Sequence, residues 1–302
     1  MLASPVERPF DHPGYLFEPK CDGFRGLVFI DGGRVTIFSR NLRDVTRGYP
    51  EVMKALASVS GDAVLDGELV VCDQNGVPHF QFMQQRNFDA APPRSQLEQF
   101  PVQFVAFDLC WRDGVDLRDR PLAERRAQLE AMAVVQCIQA VVAHGCALYE
   151  EAVAKGFEGV VGKALDSPYR PGLRSRAWRK VKRVLEDRAV VVGYTAGGGG
   201  RSGTLGSLVL GQWDGARFVH IGEVGTGFDD GTLRALRMAL DEIVVPDAPV
   251  VLQIRIPQPI TWVEPGVVVR VEHRGVTHEG MLRAASFKGI VVGCDPREVV
   301  KP

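Results

Sequence analysis

The chain has 302 residues, of which 45% are hydrophobic and 24% are charged, and its formal net charge is −1. This length predicts about two domains, and the near-neutral charge excludes nucleic-acid binding through global positive charge alone. No stretch approaches the ~18 apolar residues of a membrane helix, and no signal peptide is visible. Since the six cysteines form no C-x-x-C pair, we expect a cytoplasmic protein with reduced thiols and no zinc site.

The first half of the chain alternates short β-rich runs with turn signals, and apolar residues later return every three or four positions, as in a helix. The predicted strands cover residues 26–30 and 34–38 (a hairpin around Asp31-Gly-Gly), 64–72 and 102–109, and the predicted helices cover 122–132 and 147–155, the second ended by Gly156. This mixture predicts an α+β domain with antiparallel sheets.

After Arg188 the chain is mostly β. The predicted elements are strands over 189–195, 205–213, 218–224, 250–256 and 267–272, a helix over 233–243, and a flexible glycine run at Gly197–Gly200. About five strands with one helix are typical of an OB-fold β-barrel. The charged segment 185–188 marks the expected boundary, which gives domains 1–185 and 186–302.

The first chemically notable cluster is Glu18-Pro-Lys20-Cys-Asp22-Gly23-Phe-Arg25. Lysine becomes a nucleophile when its ammonium is deprotonated, which burial or nearby positive charge favours. Gly23 permits a sharp turn that brings Arg25 close. A surface Lys–Asp pair in a hairpin is the simpler interpretation of this cluster taken alone, because short motifs often occur by chance.

Two further clusters place charges on apolar strands. Asp66-Gly67-Glu68 carries two carboxylates that are costly to bury without a cationic or hydrogen-bonding partner, so the cluster indicates either a metal or ribose site or a simple turn. Glu158-Gly-Val-Val-Gly-Lys163 pairs a second potential metal carboxylate with a potential phosphate contact. An exposed ion pair at a strand end explains the latter equally well.

The fourth cluster lies in a basic stretch from Arg170 to Arg188 that holds eight arginines and lysines. Within it, Arg174 precedes Trp178-Arg-Lys180-Val-Lys182, and the alternation puts Lys180 and Lys182 on one face of a strand. A polyphosphate would suit this face, although a solvated basic surface is the usual explanation of such a run.

In this order the four clusters resemble the nucleotidyltransferase superfamily of ATP-dependent DNA ligases, RNA ligases and mRNA capping enzymes. Lys20-Cys-Asp-Gly-Phe-Arg25 is similar to its nucleotide-attachment motif. The later motifs are matched by Ser39-Arg40-Asn41, Asp66-Gly-Glu68, Phe107-Asp-Leu109, Glu158-Gly-Val-Val-Gly-Lys163 and Trp178-Arg-Lys180-Val-Lys182. The similarity covers nearly the whole chain and is strongest to bacterial ligases of the ligase C and ligase D types, with an adenylation domain followed by an OB-fold domain.

The resemblance implies roles for these residues. Lys20 attacks ATP and becomes lysyl-AMP, assisted by Lys180 and Lys182, while the cations Lys163, Lys180 and Lys182 with Mg²⁺ (or Mn²⁺) depress the Lys20 pKa. Glu68 and Glu158 position ribose and metal, Phe107 stacks on adenine, and Glu18 lies beside the base. The residues implied to grip the nucleotide and the 5′-phosphate of a nick are Arg25, Arg40 and Arg174, and Lys163 is implied to contact a phosphate of the nucleotide.

The resemblance also implies partners: nicked double-stranded DNA and a primase-polymerase repair protein, with no membrane, for a monomeric enzyme that associates with the nucleoid when on DNA. One departure stands out, because Ser286-Phe287-Lys-Gly289 is followed by Ile-Val-Val-Gly-Cys294 where ligases of this type carry basic residues. We therefore expect either that self-adenylylation is slow or that Lys288 or Arg283 takes the place of the missing basic residues. An RNA ligase or guanylyltransferase on the same scaffold, or a nick-binding module with weak turnover, remain alternatives.

Overall fold

The computed structural model describes residues 1–86, 92–199, 203–277 and 279–300. The chain divides into two compact units, Met1–Arg183 and Val184–Pro302, and each is described by itself. Residues 185–188, where the sequence places the boundary, begin a strand of the second unit. In these described ranges, no helix is both long enough and apolar enough to traverse a lipid bilayer.

The first unit is built on two five-stranded sheets. Its strands are β1 (Leu2–Pro5), β2 (His12–Pro19), β3 (Phe24–Asp31), β4 (Arg34–Ser39), β5 (Ala63–Val70), β6 (Gln103–Arg112), β7 (Val115–Asp116), β8 (Val141–Ala143), β9 (Gly159–Ala164) and β10 (Arg174–Lys182). One sheet has the order β1-β10-β9-β2-β8 and the other β4-β3-β5-β6-β7. All named neighbours are antiparallel except β1, which runs parallel to β10.

The helices of the first unit are short. They are α1 (Pro50–Leu56), α2 (Phe80–Gln84), α3 (Arg94–Gln99), α4 (Leu122–Glu130) and α5 (Gly145–Lys155). The α5 helix ends as predicted at Gly156, whose φ of 97° lies in the left-handed region that a glycine adopts at little cost. Helix α4 confirms the helix predicted over 122–132, ending two residues early.

The predicted hairpin is confirmed, since β3 and β4 pair from Gly26 with Ser39 to Asp31 with Arg34. Strand β5 pairs with β3 on one side and β6 on the other, which places its Asp66-Gly-Glu68 in the middle of a sheet. Apolar side chains on alternate positions of these strands form the main core of the unit, including Val28, Ile37, Leu65, Leu109 and, from α4, Leu129.

The second unit is one six-stranded sheet with a helix. Its elements are β11 (Leu185–Ala196), β12 (Leu205–Trp213), β13 (Phe218–Val224), α6 (Asp230–Asp241), β14 (Val250–Val251), β15 (Ile260–His273) and β16 (Ser286–Val291), with the strand order β14-β13-β12-β11-β15-β16. Asp229 caps α6 by accepting a hydrogen bond from the Thr232 amide at 2.7 Å. This architecture fits the expected OB-type domain.

One strand and one glycine run that the sequence predicts for the second unit differ from the structure or lie partly outside the described residues. The strand predicted over 250–256 is wrong for most of its length, because only Val250 and Val251 pair, in parallel with Phe218 and Val219 of β13. Apolar residues in a row predicted strand there, but a strand also needs a neighbour along its whole length. The glycine run ends at Gly200, which lies outside the described residues.

Candidate active site

Lys20 lies on the segment that connects β2 to β3, and its backbone is fixed on both sides. The Lys20 amide donates to the Gly159 carbonyl at 2.7 Å, which ties the segment to the start of β9. Three residues later, a Cβ atom on Gly23 would lie 2.2 Å from the carbonyl oxygen of Leu69 in β5. Glycine is therefore required for this close approach, and the segment holds Lys20 in one place.

The ammonium group of Lys20 contacts the carboxylate of Glu158, and the other oxygen of that carboxylate contacts Lys182. Burial lowers the pKa of Lys20, but the charge and hydrogen bond of Glu158, with Glu68 and Asp22, raise it more, so that the pKa lies above its ordinary value. The two ammonium groups hold the pKa of Glu158 below its usual range despite burial.

The direction of the Lys20 shift corrects the sequence expectation. Counting the cations Lys163, Lys180 and Lys182 near the motif predicted a depressed pKa, but the nearest charged group is the carboxylate of Glu158. Lys163 points elsewhere, to the carboxylate of Glu18. In the protein without ATP, Lys20 is held protonated, and attack requires that its contact with Glu158 be broken.

A cavity of about 150 Å³ opens beside Lys20 and brings together most of the predicted site residues. Its wall includes Lys20, Glu18, Phe107, Lys163 and Lys180. A flat, partly apolar wall formed by the Phe107 ring next to charged groups suits a nucleobase with hydrogen-bonding edges.

Lys163 is enclosed at the back of this cavity, with 2% of the residue exposed. Its ammonium nitrogen lies 2.7 Å from Glu18 Oε2 and donates to the Phe107 carbonyl at 3.0 Å. The same nitrogen stands 4.4 Å from the ring centres of both Phe107 and Trp178, where the ring faces attract a cation. In this structure Lys163 therefore shapes the wall of the cavity and holds Glu18.

Glu18 is buried and receives a second cation from helix α4. Arg126 Nη1 lies 2.9 Å from Glu18 Oε1, opposite the oxygen that Lys163 contacts. Burial raises the pKa of Glu18, while Lys163 and Arg126 act against that rise. The carboxylate is therefore oriented by two cations, as a group that must recognise a hydrogen-bonding edge needs to be.

Lys180 and Lys182 are both partly buried on β10, separated by the buried Val181. Burial, Lys182 and Lys20 together lower the pKa of Lys180. Lys180 lines the cavity, whereas Lys182 is bound to Glu158. The ammonium groups of Lys20 and Lys180 thus line the cavity, and Lys182 is joined to Lys20 through Glu158. Together these cations would attract a polyphosphate.

Asp66 and Glu68 project from β5 into different surroundings. Asp66 is fully buried and accepts two hydrogen bonds from Arg25, at 2.9 and 2.5 Å, and one from the Tyr169 hydroxyl at 2.8 Å. It therefore positions Arg25. Glu68 faces both the cavity beside Lys20 and a second cavity, and burial raises its pKa to about 7, with Lys20 acting against the rise.

The second cavity has a volume of about 460 Å³ and shares Leu2, Arg25 and Glu68 with the first. Arg40 lines this second cavity, so the structure brings Arg25 and Arg40 to one space. Arg174 lies apart from these: its guanidinium donates to the Ala3 carbonyl at 2.5 Å, and it lines neither cavity in the described part of the chain.

A divalent metal ion would find two carboxylates here. Within the described ranges, no group of three or more acidic, histidine or cysteine residues has the geometry of a metal site. Mg²⁺ commonly uses one or two carboxylates and takes its other ligands from water and phosphate oxygens. Glu68, whose pKa is raised by burial, and Glu158 fit such a shared site.

Sequence reasoning missed three residues that build this site. Arg126 and Tyr169 orient Glu18 and Asp66, and Trp178, which was identified only as part of a basic motif, lies with its ring against the Lys163 ammonium. Arg126 gives a detectable signal, since it occupies a buried position of α4 next to Leu122 and Leu129, where a basic residue is costly without a partner. Tyr169 gives no comparable local signal.

The comparisons with known proteins agree with this geometry. Residues 1–182 match the model of the "ATP dependent DNA ligase domain", and residues 201–291 match that of the "ATP dependent DNA ligase C terminal region". This chain belongs to the ATP-dependent DNA ligase family. The first match alone spans more than half of the chain and includes Lys20 and both cavities.

Individual relatives point the same way. The multifunctional non-homologous end joining DNA repair protein LigD of Mycobacterium tuberculosis is 37% identical over 294 residues, which cover 95% of this chain and 37% of LigD. A DNA ligase of Thermococcus onnurineus is 34% identical over 274 residues, covering 86% and 47% of the two chains. The solved structure of mycobacterial DNA ligase D complexed with ATP and MES is 33% identical, covers 100% of this chain and 97% of that one, and gives a TM-score of 0.57.

These figures limit what carries over from the curated relatives. The chain spans about 37% of the length of LigD and 47% of the archaeal ligase. Similarity to the ligase D structure covers nearly the whole of both chains, so the family and the fold carry over.

Proposed function

We propose that this chain is an ATP-dependent DNA ligase that seals nicks in duplex DNA through a lysyl-AMP intermediate on Lys20. The observation that supports it most is the position of Lys20: its ammonium lies at the mouth of a cavity walled by Phe107 and Glu18, next to Lys180 and Lys182. A nucleophile, a base-binding wall and a cationic phosphate site thus lie within one unit.

The first step joins Lys20 to the α-phosphorus of ATP. Lys20 loses a proton, for which Glu158 is the carboxylate in contact; its nitrogen then forms a bond to phosphorus as the bond to the bridging oxygen breaks and pyrophosphate leaves. Lys180 and Lys182 stabilise the negative charge that develops on the phosphate oxygens. Burial and the neighbouring ammonium groups of Lys182 and Lys20 lower the pKa of Lys180.

In the second and third steps, AMP passes to the 5′-phosphate of the nick, and the 3′-hydroxyl then attacks that phosphate and releases AMP. Arg25 and Arg40 meet in the second cavity, where they are placed to hold the 5′-phosphate. Asp66 supports this role by fixing the guanidinium of Arg25 from behind. Arg174 is assigned to the same task, although contact with phosphate would require it to leave the Ala3 carbonyl.

Magnesium is the proposed metal cofactor, with Glu68 and Glu158 as its protein ligands. When bound, Mg²⁺ would neutralise charge on the phosphate oxygens. The raised pKa of Glu68 supports its assignment, since a buried carboxylate without full charge compensation favours a cation. Glu158 contacts Lys20 and Lys182 in the protein alone, so it exchanges partners during the reaction.

The experiment that tests this function follows the label from [α-³²P]ATP. The purified protein should acquire covalent label from ATP and not from GTP, and should transfer it to a nicked DNA duplex with loss of the nick. Labelling by GTP would indicate a guanylyltransferase, sealing of nicked RNA in preference to DNA would indicate an RNA ligase, and tight nick binding without labelling would indicate a binding module.

Two further parts of the proposal concern assembly. We place the enzyme on DNA as a monomer, and we propose a primase-polymerase repair protein as its partner, by resemblance to ligases of the C and D types. The multifunctional name of the LigD relatives is consistent with such a partner. Sedimentation of the chain alone, and then mixed with a primase-polymerase repair protein, tests both.

A further inference from the structure

The first unit also carries a groove that is separate from the two cavities of the candidate active site. It has a volume of about 800 Å³ and runs along the edge strand β4, the turn Thr46–Gly48 and helix α1. Arg34 on β4, Arg47 on the turn and Lys54 on α1 line it. We call these three residues and the space between them the cationic groove.

The three cations of the cationic groove are exposed. None of Arg34, Arg47 and Lys54 forms an ion pair in the part of the chain that the structure describes. Other exposed cations of the same unit form ion pairs with carboxylates close to them in the chain. These pairs are Arg94 with Glu98, Arg118 with Asp116 and Lys155 with Glu151. Unpaired cations gathered on one concave surface favour a polyanionic ligand.

Asp44 is the single acidic side chain lining the groove among the described residues. Its carboxylate is already engaged, because it accepts hydrogen bonds from the Thr46 amide at 2.9 Å and the Thr46 hydroxyl at 2.6 Å. These bonds, followed by the charges of Arg47 and Arg34, hold the pKa of Asp44 below its usual range. Asp44 thus serves the local turn, and the groove retains a net positive charge.

The cationic groove adjoins the second cavity of the candidate active site. The chain from Arg40 to Arg47 separates the two spaces, with Arg40 and Arg43 facing the cavity, Arg47 facing the groove, and Val45 in the wall of both. Seven residues span at most about 25 Å, which corresponds to about seven base-pair steps of DNA at 3.4 Å each. A strand held at Arg40 can therefore reach the groove within one turn of duplex.

We propose that the cationic groove binds the phosphodiester backbone of the nicked duplex, on the arm that begins with the 5′-phosphate. This rests on the proposed function, which places the 5′-phosphate at Arg25 and Arg40. The phosphates that follow it on the same strand leave the cavity past the 40–47 loop and meet Arg34, Arg47 and Lys54. The contacts are to backbone only, so they add affinity without sequence preference.

The test compares two triple variants of equal charge loss. The groove variant is Arg34→Ala/Arg47→Ala/Lys54→Ala, and the matched control is Arg94→Ala/Arg118→Ala/Lys155→Ala, whose cations are already paired. Binding to a fluorescent nicked duplex with a 3′-dideoxy end, which cannot be sealed, is measured by anisotropy across a salt series. In the groove variant, the slope of log affinity against log salt should be less negative by about two to three. In the control variant, the slope should stay near the value of the parent protein.

The arm of the duplex provides the second readout. Replacing the phosphodiesters of the arm on the 5′-phosphate side by uncharged methylphosphonates should remove the difference between the parent and the groove variant, while the same replacement on the other arm should preserve it. Equal slopes for the groove and control variants, or a difference that depends on the 3′-hydroxyl arm, would overturn the proposal. Binding is measured without catalysis, so failure of label transfer from ATP would refute the proposed function separately.

Discussion

The ammonium group of Lys20 and the carboxylate of Glu158 are in direct contact, and Glu158 also holds Lys182. The nucleophile of the proposed reaction is therefore held in a cluster of three ion-paired side chains, which we call the ion-paired trio. This arrangement raises the pKa of Lys20 and lowers that of Glu158. Binding of ATP must rearrange the trio, and several predictions concern the residues around it.

The acidic residues Glu68 and Glu158 should each be needed for sealing. We expect Glu68→Ala or Glu158→Ala to slow nick sealing by about a hundredfold or more, because each removes an oxygen ligand where charge develops. Sealing is measured across a Mg²⁺ titration, with Glu98→Ala as a control on the exposed surface of α3. Near-normal sealing by both variants would mean that the two carboxylates are structural.

Asp66 should contribute more to the free energy of unfolding than Tyr169 does. Asp66→Ala leaves the Arg25 guanidinium without its buried partner, and breaking such a pair costs about 3–5 kcal/mol. Tyr169→Phe removes one hydrogen bond to Asp66 and one from Arg25 but leaves the Arg25–Asp66 ion pair in place, at about 1 kcal/mol for each hydrogen bond. Urea denaturation compares the two free energies of unfolding, and equal effects of the two substitutions would contradict the assignment of Asp66 as the anchor of Arg25.

The local patterns of the sequence predicted much of this molecule. Alternating apolar residues predicted the hairpin of β3 and β4, and Gly156 predicted the end of α5. These two predictions succeed because each depends on residues close together in the chain. Lys20 and Glu158 lie far apart in the chain, and the resemblance to the family is what grouped them in one site.

Contacts between distant residues could not be predicted in the same way. Arg126 meets Glu18 across 108 positions of the chain, and Arg25 meets Asp66 across 41. For the protein without Mg²⁺, the pKa of Lys20 is raised and not lowered as the sequence predicted, since the direction of the shift depends on which charged group is nearest in space. The spacing of residues along the chain does not give the distance between their charged groups in the folded protein.

The altered carboxyl-terminal motif leads to a kinetic prediction. Lys288, one residue that could replace the missing basic side chains, is bound to Glu272 at 2.7 Å on the neighbouring strand β15. We expect self-adenylylation to be slower than sealing by the pre-adenylylated enzyme on a saturating nicked duplex, as single-turnover kinetics would measure. If adenylylation outpaces sealing, and Lys288→Ala or Arg283→Ala then slows only that step, these residues do replace the motif.

His220 makes the stability of the second unit depend on pH. It is fully buried in β13, and burial lowers its pKa below the ordinary value of about 6.5. Below that value the unfolded chain takes up a proton that the folded unit resists, so this contribution is fully present above pH 6.5 and is lost as the pH falls. Denaturation at several pH values should show that His220→Leu reduces this dependence, while His12→Gln, on the exposed surface, does not.

The central claim is that Lys20 carries the adenylate, and intact-protein mass spectrometry with peptide mapping tests it most directly. After incubation with ATP and Mg²⁺, the parent chain should gain the mass of one adenylate, located on the peptide that contains Lys20. Lys20→Ala should gain none while keeping its fold, and Lys20→Arg should also gain none, because a guanidinium stays protonated and cannot attack. An adduct that persists in Lys20→Ala, mapped to another lysine such as Lys163 or Lys180, would contradict the account.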